Sequence, residues 1–329
     1  MRKFTIQASD LNGPVRVDKF LSDKSLSNSR SGLKTAFKDG KIRVNDFAAK
    51  PSTRVQNGDT VSGEVPDPES ETIDPESIPL SIVYEDDSIV VIDKQAGLIT
   101  HPSPNRLQGT LVNALLYHCG ELSGIGGAMQ AGIVHRLDKL TSGIMVAAKQ
   151  DDAHRELARQ FKEHTISRKY LALVHGELEQ LSGRIESAIS RNPKHRLKMT
   201  GKSEEGKMAG TRYKVLARTD GLSLVELELE TGRTHQIRVH LSEMNHPVVG
   251  DALYGKGRTL PAKIAPEKRA ALRQLKRQAL HAYHLGFIHP ISRESMVFES
   301  PLAEDINTAI KALGLLEKLQ LPDKAGRVA

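Results

Sequence analysis

The chain has 329 residues, of which 38% are hydrophobic and 26% charged, enough for two domains with a substantial core. Its single cysteine, Cys119, excludes an intramolecular disulfide framework, and no stretch approaches the ~18 apolar residues of a membrane span. The N-terminus lacks the apolar segment of a signal peptide, so we expect a cytoplasmic protein with no membrane partner.

The net charge of +7 is unevenly distributed. Residues 1–60 hold twelve Lys and Arg against six Asp and Glu, whereas residues 61–93 hold ten acids and no base. Two further basic segments follow, residues 191–202 and 256–277. A basic segment is usually only solvated surface. Three of them in one chain favour a polyanionic partner.

The N-terminal segment predicts a small unit of two helices and a few strands. Its second helix is expected over residues 29–40, with Arg30, Lys34 and Lys38 recurring at every fourth position on one face. The segments "VRVDKFL", "SRSGLKTAFKDGKIRVN" and "VQNGDTV" resemble the S-four RNA-binding domain. That resemblance implies an accessory RNA contact, with Arg30, Lys34, Lys38 and Lys41 binding phosphates.

The segment "PDPESETIDPESIP", residues 66–79, contains four prolines and a run of acids. This composition is typical of an extended, charged tether. We therefore predict an RNA-binding domain with its linker over residues 1–75 and a second domain over residues 76–329.

The second domain is predicted to be α+β. Alternating or β-branched runs predict strands at 88–93, 143–149, 169–176, 211–217 and 224–230. The clearest helix covers residues 151–164, with Leu157, Ala158 and Phe161 on one side. Because strands and helices do not alternate regularly, we expect a largely antiparallel sheet.

Common cofactor and hydrolase motifs do not occur in the sequence. We find no Gly-rich phosphate loop, no G-x-S-x-G elbow, and no zinc spacing among the thirteen histidines, including His235 and His240. We therefore expect neither a nucleotide cofactor nor a metal.

Three polar residues stand in distinctive surroundings: Asp138 in "HRLDKLTSG", Tyr170 in "SRKYLALVHG" and Arg238 in "GRTHQIRVHL". Taken singly, they would be a turn residue, a sheet residue and a surface charge. Together with "PLSIVYEDDSIVVIDKQAGLITHPS", "GTLVNALLYH", "AISRNPKHRLKM", "HPVVGDALYG" and "RQALHAYHLGFIHP", these segments resemble the RluA-type family of pseudouridine synthases nearly end to end. One departure is visible, since the family usually has Asn-Lys-Pro where this chain has Asp93, Lys94 and Gln95.

The resemblance implies a role for each matching residue. Asp138 corresponds to the catalytic aspartate, Tyr170 to a tyrosine that stacks on the target uracil and is a candidate base, and Arg238 to the salt-bridge partner of the aspartate. Arg136 corresponds to an arginine that fills the gap left in the RNA by the flipped uridine. His135 is a candidate for RNA contact, with a structural role as its alternative.

The implied protein is an isomerase that needs no cofactor. We expect a monomer with a mainly antiparallel mixed sheet flanked by helices, acting on large-subunit (23S) ribosomal RNA or its precursor particle. The basic segment 256–277 is expected to contact this RNA. Three alternatives stay open: a transfer RNA synthase, a catalytically silent RNA-binding ribosome-assembly factor, and a metal-dependent RNA hydrolase. The sequence also leaves open whether Asp138 attacks the ribose or assists a glycal route.

Overall fold

The computed structural model describes residues 2–11, 13–23, 36–65, 72–203 and 205–328. They belong to two compact units, residues 1–72 and 73–329. No helix within the described ranges is long and apolar enough to cross a membrane.

The N-terminal unit contains a four-stranded antiparallel sheet, a two-stranded ribbon and a helix. Its elements are β1 (Arg2–Gln7), β2 (Val15–Arg16), α1 (Val17–Asp23), β3 (Ile42–Val44), β4 (Phe47–Ala48), β5 (Arg54–Val55) and β6 (Thr60–Val65). The sheet has the order β1-β6-β3-β4, and β2 pairs with β5. Val17, Phe20 and Leu21 recur at helical spacing on α1 and are buried with Ile42 and Val61, which explains why this short helix packs on the sheet.

The predicted helix over residues 29–40 is described only at its C-terminal end. Residues 36–38 are helical, Ala36 and Phe37 are buried, and Gly40 has the left-handed φ of 66° that commonly ends a helix. Lys38 and Lys41 are exposed. Arg30 and Lys34 lie outside the described residues.

The second unit is built on an eleven-stranded sheet. Its strands are β7 (Ser81–Glu85), β8 (Ile89–Lys94), β9 (Ser142–Ala148), β10 (Ser167–His175), β11 (Ser182–Arg191), β12 (Met199–Thr200), β13 (Lys207–Thr219), β14 (Leu222–Leu229), β15 (Leu280–Ile288), β16 (Ser295–Glu299) and β17 (Gly326–Val328). Nine strands follow the order β12-β11-β13-β14-β10-β15-β9-β8-β7, while β16 pairs with β15 and β17 with β16. All pairs among these strands are antiparallel except β15 with β9, which confirms the predicted α+β class.

Helices cover this sheet on both faces. They are α2 (Leu111–Cys119), α3 (Asp151–Glu163), α4 (Gln236–Glu243), α5 (Pro266–Gln274) and α6 (Glu304–Ala312), with short 3-10 turns at Ala128–Gln130 and Leu316–Lys318. Along β8, Ile89 and Val91 belong to one buried cluster, whereas Val90 and Ile92 belong to the other. Successive side chains of a strand point to opposite faces, so at β8 the sheet separates these two buried clusters.

The acidic segment before β7 is anchored on the second unit. Ile73 is buried there, and the carbonyl of Asp74 accepts a hydrogen bond from Asn113 Nδ2 at 2.8 Å. Gly109 N donates to Glu76 Oε1 at 2.9 Å. The prediction of an extended tether over residues 66–79 is therefore wrong from Ile73 onward. There a buried apolar side chain and these hydrogen bonds attach the segment to the rest of the second unit.

Candidate active site

Asp138 lies in the loop that leads into β9. This loop is held from both sides: Thr100 Oγ1 donates to Leu137 O at 2.8 Å, and Gly97 N donates to Lys139 O at 2.7 Å. The ammonium of Lys94, fully buried at the end of β8, donates to the carbonyls of Gln95 and Leu98 at 3.0 Å each and to Lys139 O at 3.4 Å. The loop therefore presents the Asp138 carboxylate, whose side chain is 18% exposed, in a fixed place.

Arg238 reaches Asp138 from the first turn of α4. Its Nη1 donates to Asp138 Oδ2 at 2.9 Å, while Nε and Nη2 donate to the two oxygens of Asp251 at 2.6 and 3.0 Å. Burial lowers the pKa of Arg238, but the hydrogen bond and charge of Asp251, and then those of Asp138, outweigh burial and raise the pKa overall. The guanidinium is thus a permanent cation between two carboxylates.

His235 and Tyr254 complete this cluster. His235 Nε2 lies 4.0 Å from Asp138 Oδ2, and its Nδ1 lies 2.9 Å from the Tyr254 hydroxyl, which accepts the N–H of Met199 at 2.8 Å. The Tyr254 ring also lies 4.9 Å beneath the Arg238 guanidinium, a cation–π contact. Asp251 and Tyr254 were missed as site residues by the sequence analysis, although both belong to the quoted segment "HPVVGDALYG".

Tyr170 lies on β10, where the pairing with β15 shifts register between Lys169 and Tyr170. Such irregularities redirect side chains, and Tyr170 lines the same cavity as Asp138. Burial raises the pKa of the Tyr170 phenol to about 12, so the ring is neutral at pH 7. The structure therefore brings Asp138, Tyr170 and Arg238 together in one place.

The cavity has a volume of about 540 Å³ and a strongly basic wall. Asp138 is the one acidic side chain among the described residues that line it. The basic lining residues are His101, His135, Arg136, Lys162, His164, Arg168, Arg233, His235 and Arg238. Such a wall suits a polyanionic ligand.

Arg136 and His135 differ in their surroundings. Arg136 is exposed at the cavity, with Nη1 2.8 Å from His101 Nε2. His135 stacks on Phe161 with ring centres 4.6 Å apart, and its Nε2 accepts the N–H of Val146 at 3.1 Å. Burial lowers the pKa of His135 to about 3, so the imidazole is neutral. These contacts favour the structural alternative for His135.

Part of the basic segment 256–277 is engaged within the protein. Arg277 is buried and donates to both oxygens of Asp305 at 2.7 and 2.6 Å. Arg269 donates to backbone carbonyls between Leu260 and Ile264. These two arginines stabilise the fold, so the expected RNA contact of this segment does not extend to them.

Glu85, His118 and Cys119 offer three metal-ligand atoms within 4.8 Å of one another. In the structure Glu85 instead pairs with His118 at 2.7 Å and with Lys149 at 2.8 Å. Burial also raises the pKa of the Cys119 thiol to about 11, which disfavours the thiolate that metals bind. The donor set is therefore poorly suited to a metal.

Comparison with known proteins identifies the family. Residues 88–243 match the family model described as RNA pseudouridylate synthase. An RNA pseudouridine synthase of Bacillus subtilis is 42% identical over 313 residues, which cover 95% of this chain and 99% of that protein. The chain belongs to the RNA pseudouridine synthase family. The family expected from the motifs is confirmed, and the enzyme is an isomerase.

Other RNA pseudouridine synthases are also similar to this chain. Ribosomal large subunit pseudouridine synthase D of Zymomonas mobilis is 41% identical over 302 residues, covering 91% of this chain and 93% of that one. The solved human RNA pseudouridylate synthase domain containing 4 is 26% identical, with a TM-score of 0.54 over 74% of this chain and 95% of that one. Residues 15–61 match the S4 domain, so this synthase carries an additional RNA-binding module.

Proposed function

We propose that this RNA pseudouridine synthase isomerises specific uridines of large-subunit ribosomal RNA, with Asp138 as the catalytic carboxylate. The observation that carries the proposal is the contact of Arg238 with Asp138 at 2.9 Å in the wall of a basic cavity. The Zymomonas mobilis relative, which is named a ribosomal large subunit pseudouridine synthase, supports a ribosomal substrate. The S4 match supports a second contact with RNA outside this cavity.

The reaction breaks the bond between N1 of the uracil and C1′ of the ribose and joins C1′ to C5 of the same base. The proton on C5 is lost and N1 gains one, so no atom is added overall. Arg238 binds Oδ2 of Asp138, and Oδ1 has no hydrogen-bond partner among the described residues. Asp138 can therefore present Oδ1 to C1′ as a nucleophile, or assist departure and return of the base along a glycal route.

Arg238 supports either route by holding the carboxylate in place. Burying an isolated carboxylate is costly unless a cation and hydrogen bonds compensate it. Arg238 supplies both, and its own position is fixed by Asp251. Asp138 then meets the substrate with a defined orientation.

Tyr170 and Arg136 are assigned to base flipping. Extruding a uridine from folded RNA costs roughly a few kcal/mol, and stacking on an aromatic ring returns about 1–3 kcal/mol. Tyr170 is buried beside Asp138 and is neutral at pH 7, so its first role is to stack on the uracil. Arg136, exposed at the cavity, is placed to occupy the vacated position in the RNA.

The experiment compares RNA from cells lacking the gene with RNA from cells complemented by wild type, Asp138→Asn or Asp152→Asn. Asp152 is a matched control, because its carboxylate is 81% exposed on α3. Pseudouridines are mapped by carbodiimide labelling and primer extension. We expect positions in large-subunit RNA to disappear on deletion and to return with wild type and Asp152→Asn only.

Other outcomes would contradict this proposal. Changes confined to transfer RNA would replace the ribosomal substrate by the transfer RNA alternative. Restoration by Asp138→Asn would remove Asp138 from the chemistry. No change at any position would leave a silent assembly factor as the better account.

A further inference from the structure

Arg168 is a buried arginine in the cavity wall that has no role in the proposed reaction. It is the second residue of β10, two positions before Tyr170, and both side chains line the cavity. Arg168 is only 6% exposed. A guanidinium so far from water needs a compensating partner, since an isolated buried charge is costly.

Three arginines of the described chain are buried, and two of them have such a partner. Arg238 is bound by both oxygens of Asp251, and Arg277 by both oxygens of Asp305. Arg168 has no carboxylate within 4.0 Å among the described residues. Asp138, the acidic side chain of this cavity, is already bound by Arg238.

The remaining contacts of Arg168 are weak. Its Nη2 donates to Leu229 O at the long distance of 3.4 Å, and the guanidinium lies 5.4 Å from the centre of the Phe161 ring. Its Nε is buried and has no hydrogen-bond partner within the described part of the chain. Arginine has five N–H donors in a fixed planar fork, so most of them are available here.

Gly232, in the loop between β14 and α4, leaves space for this side chain. A Cβ atom at position 232 would lie 3.0 Å from Arg168 Nη1. Any larger residue would press on the guanidinium. The loop therefore leaves room for a guanidinium that has no carboxylate partner among the described residues.

We propose that Arg168 binds a backbone phosphate adjacent to the flipped target uridine, which deepens the function proposed above and rests on it. A phosphate supplies the missing negative charge and accepts two parallel N–H bonds from one guanidinium, whereas a uracil carbonyl supplies no charge. Two residues of a strand span about 7 Å, so Arg168 is offset from the uracil that stacks on Tyr170. In a nucleotide, the ribose likewise places the phosphate at a distance from the base. A phosphate next to the flipped uridine can therefore lie at Arg168 while the uracil lies on Tyr170.

The test uses a short RNA hairpin containing a uridine that the mapping experiment identifies. Three versions are prepared: unmodified, with a neutral methylphosphonate linkage 5′ to that uridine, and with the same linkage 3′ to it. With wild-type enzyme we expect kcat/KM to fall about 10- to 100-fold for one linkage, the range for a lost hydrogen bond to a charged group. Equal rates on all three RNAs would overturn the inference.

Two variants of the enzyme, Arg168→Gln and Arg168→Lys, are then combined with the same three RNAs in a double-mutant cycle. On unmodified RNA, Arg168→Gln should lose a similar factor, and the sensitive methylphosphonate should cause no further loss in this variant. Arg168→Lys keeps the charge but not the fork, so its loss should be smaller and its sensitivity to the linkage should persist. An equal methylphosphonate effect in wild type and Arg168→Gln would place the phosphate contact on another residue and overturn the inference.

Two controls separate this inference from the proposed function. Arg327→Gln removes an arginine that is 43% exposed on β17 and does not line the cavity, so it should respond to methylphosphonate like wild type. Asp138→Asn tests the proposed function on the unmodified hairpin. If Asp138→Asn is inactive while Arg168→Gln matches wild type on every RNA, the proposed function stands and the Arg168 inference falls.

Discussion

Asp251 holds Arg238 by two hydrogen bonds, from Nε to Oδ2 at 2.6 Å and from Nη2 to Oδ1 at 3.0 Å, and thereby directs Nη1 to Asp138. Asp251 is itself fixed by the backbone N–H groups of Leu253 and Tyr254, each at 2.9 Å. Burial raises the pKa of Asp251, but the hydrogen bond and charge of Arg238, together with the two backbone N–H groups, outweigh burial and leave the pKa below its usual value. The proposed catalytic carboxylate is thus oriented through a second, more deeply buried carboxylate.

Asp251→Asn should therefore lower activity without removing any group that lines the cavity. Removing one partner of a buried ion pair costs about 3–5 kcal/mol, part of which appears as lost stability and part as a misplaced Arg238. We expect kcat to fall by at least about tenfold and KM to change less, because the change acts through the geometry of Asp138. Single-turnover rates on a target RNA, below the unfolding temperature, measure this.

Asp86→Asn is the matched control for that substitution. Asp86 also accepts two backbone N–H bonds, from Ser88 and Ile89, but does not line the cavity. It should lower the melting temperature while leaving kcat as in wild type. If Asp251→Asn behaved in the same way, Asp251 would have a structural role alone.

Asp93→Asn should stabilise the protein at neutral pH. Burial raises the pKa of Asp93 to about 6, above the usual 3.8, so folding favours the protonated form. The stability that the protonated Asp93 carboxyl contributes is present below about pH 4 and is lost as pH rises through about 6. We expect Asp93→Asn to be more stable by about 1–3 kcal/mol at pH 7.5, with no gain at pH 4.

Urea unfolding at both pH values measures the effect of Asp93→Asn. The control is Asp87→Asn, an exposed aspartate between β7 and β8. A gain in stability that was the same at pH 4 and pH 7.5 would contradict the titration of Asp93 as its cause.

His240 should make the fold sensitive to acid. Its Nδ1 and Nε2 contact the hydroxyls of Thr211 at 2.9 Å and Ser187 at 3.1 Å, and burial lowers its pKa to about 4 from 6.5. The unfolded chain therefore binds more protons between pH 6.5 and 4. Stability present above pH 6.5 is lost across that window, by up to about 3 kcal/mol.

His240→Gln removes this titration while retaining hydrogen-bonding capacity. The free energy of unfolding should then fall less steeply between pH 6.5 and 4 than in wild type. His195→Gln, an exposed site, should keep the wild-type slope. Parallel pH profiles for wild type and His240→Gln would show that this histidine does not titrate on folding.

Lys38 and Lys41 should contribute to RNA affinity by counterion release. Both are exposed in the unit that matches the S4 domain. Replacing both by Gln should weaken binding and reduce the slope of log affinity against log salt by about 1.5, the contribution of two phosphate contacts. The control removes two exposed lysines near the C-terminus, Lys311 and Lys318. A slope unchanged by the N-terminal pair would show that these lysines do not contact RNA.

Periodic segments of the sequence were sufficient to predict the α+β class. In β14, Leu224 and Val225 begin the run that predicted the strand. In α3 the side chains of Leu157 and Phe161 face the core as expected, whereas Ala158, predicted on the same side, is exposed. No strand was predicted at β15, although it is central in the sheet. Its His281 is buried between the hydroxyls of Ser142 and Ser300, 139 and 19 residues away, so this polar residue within the strand is satisfied only after folding.

The sequence by itself determined the family, the mainly antiparallel architecture and the candidate residues Asp138, Tyr170 and Arg238, because these depend on local periodicity and contiguous motifs. Only the tertiary structure decided how Asp251 orients Arg238, that His135 is packed against Phe161, and that no carboxylate of the described residues pairs with Arg168. Asp138 and Arg238 are 100 residues apart in the chain, and their separation in space is fixed by strand order and loop anchoring. Contacts of that range depend on how whole elements pack, which a local sequence pattern does not specify.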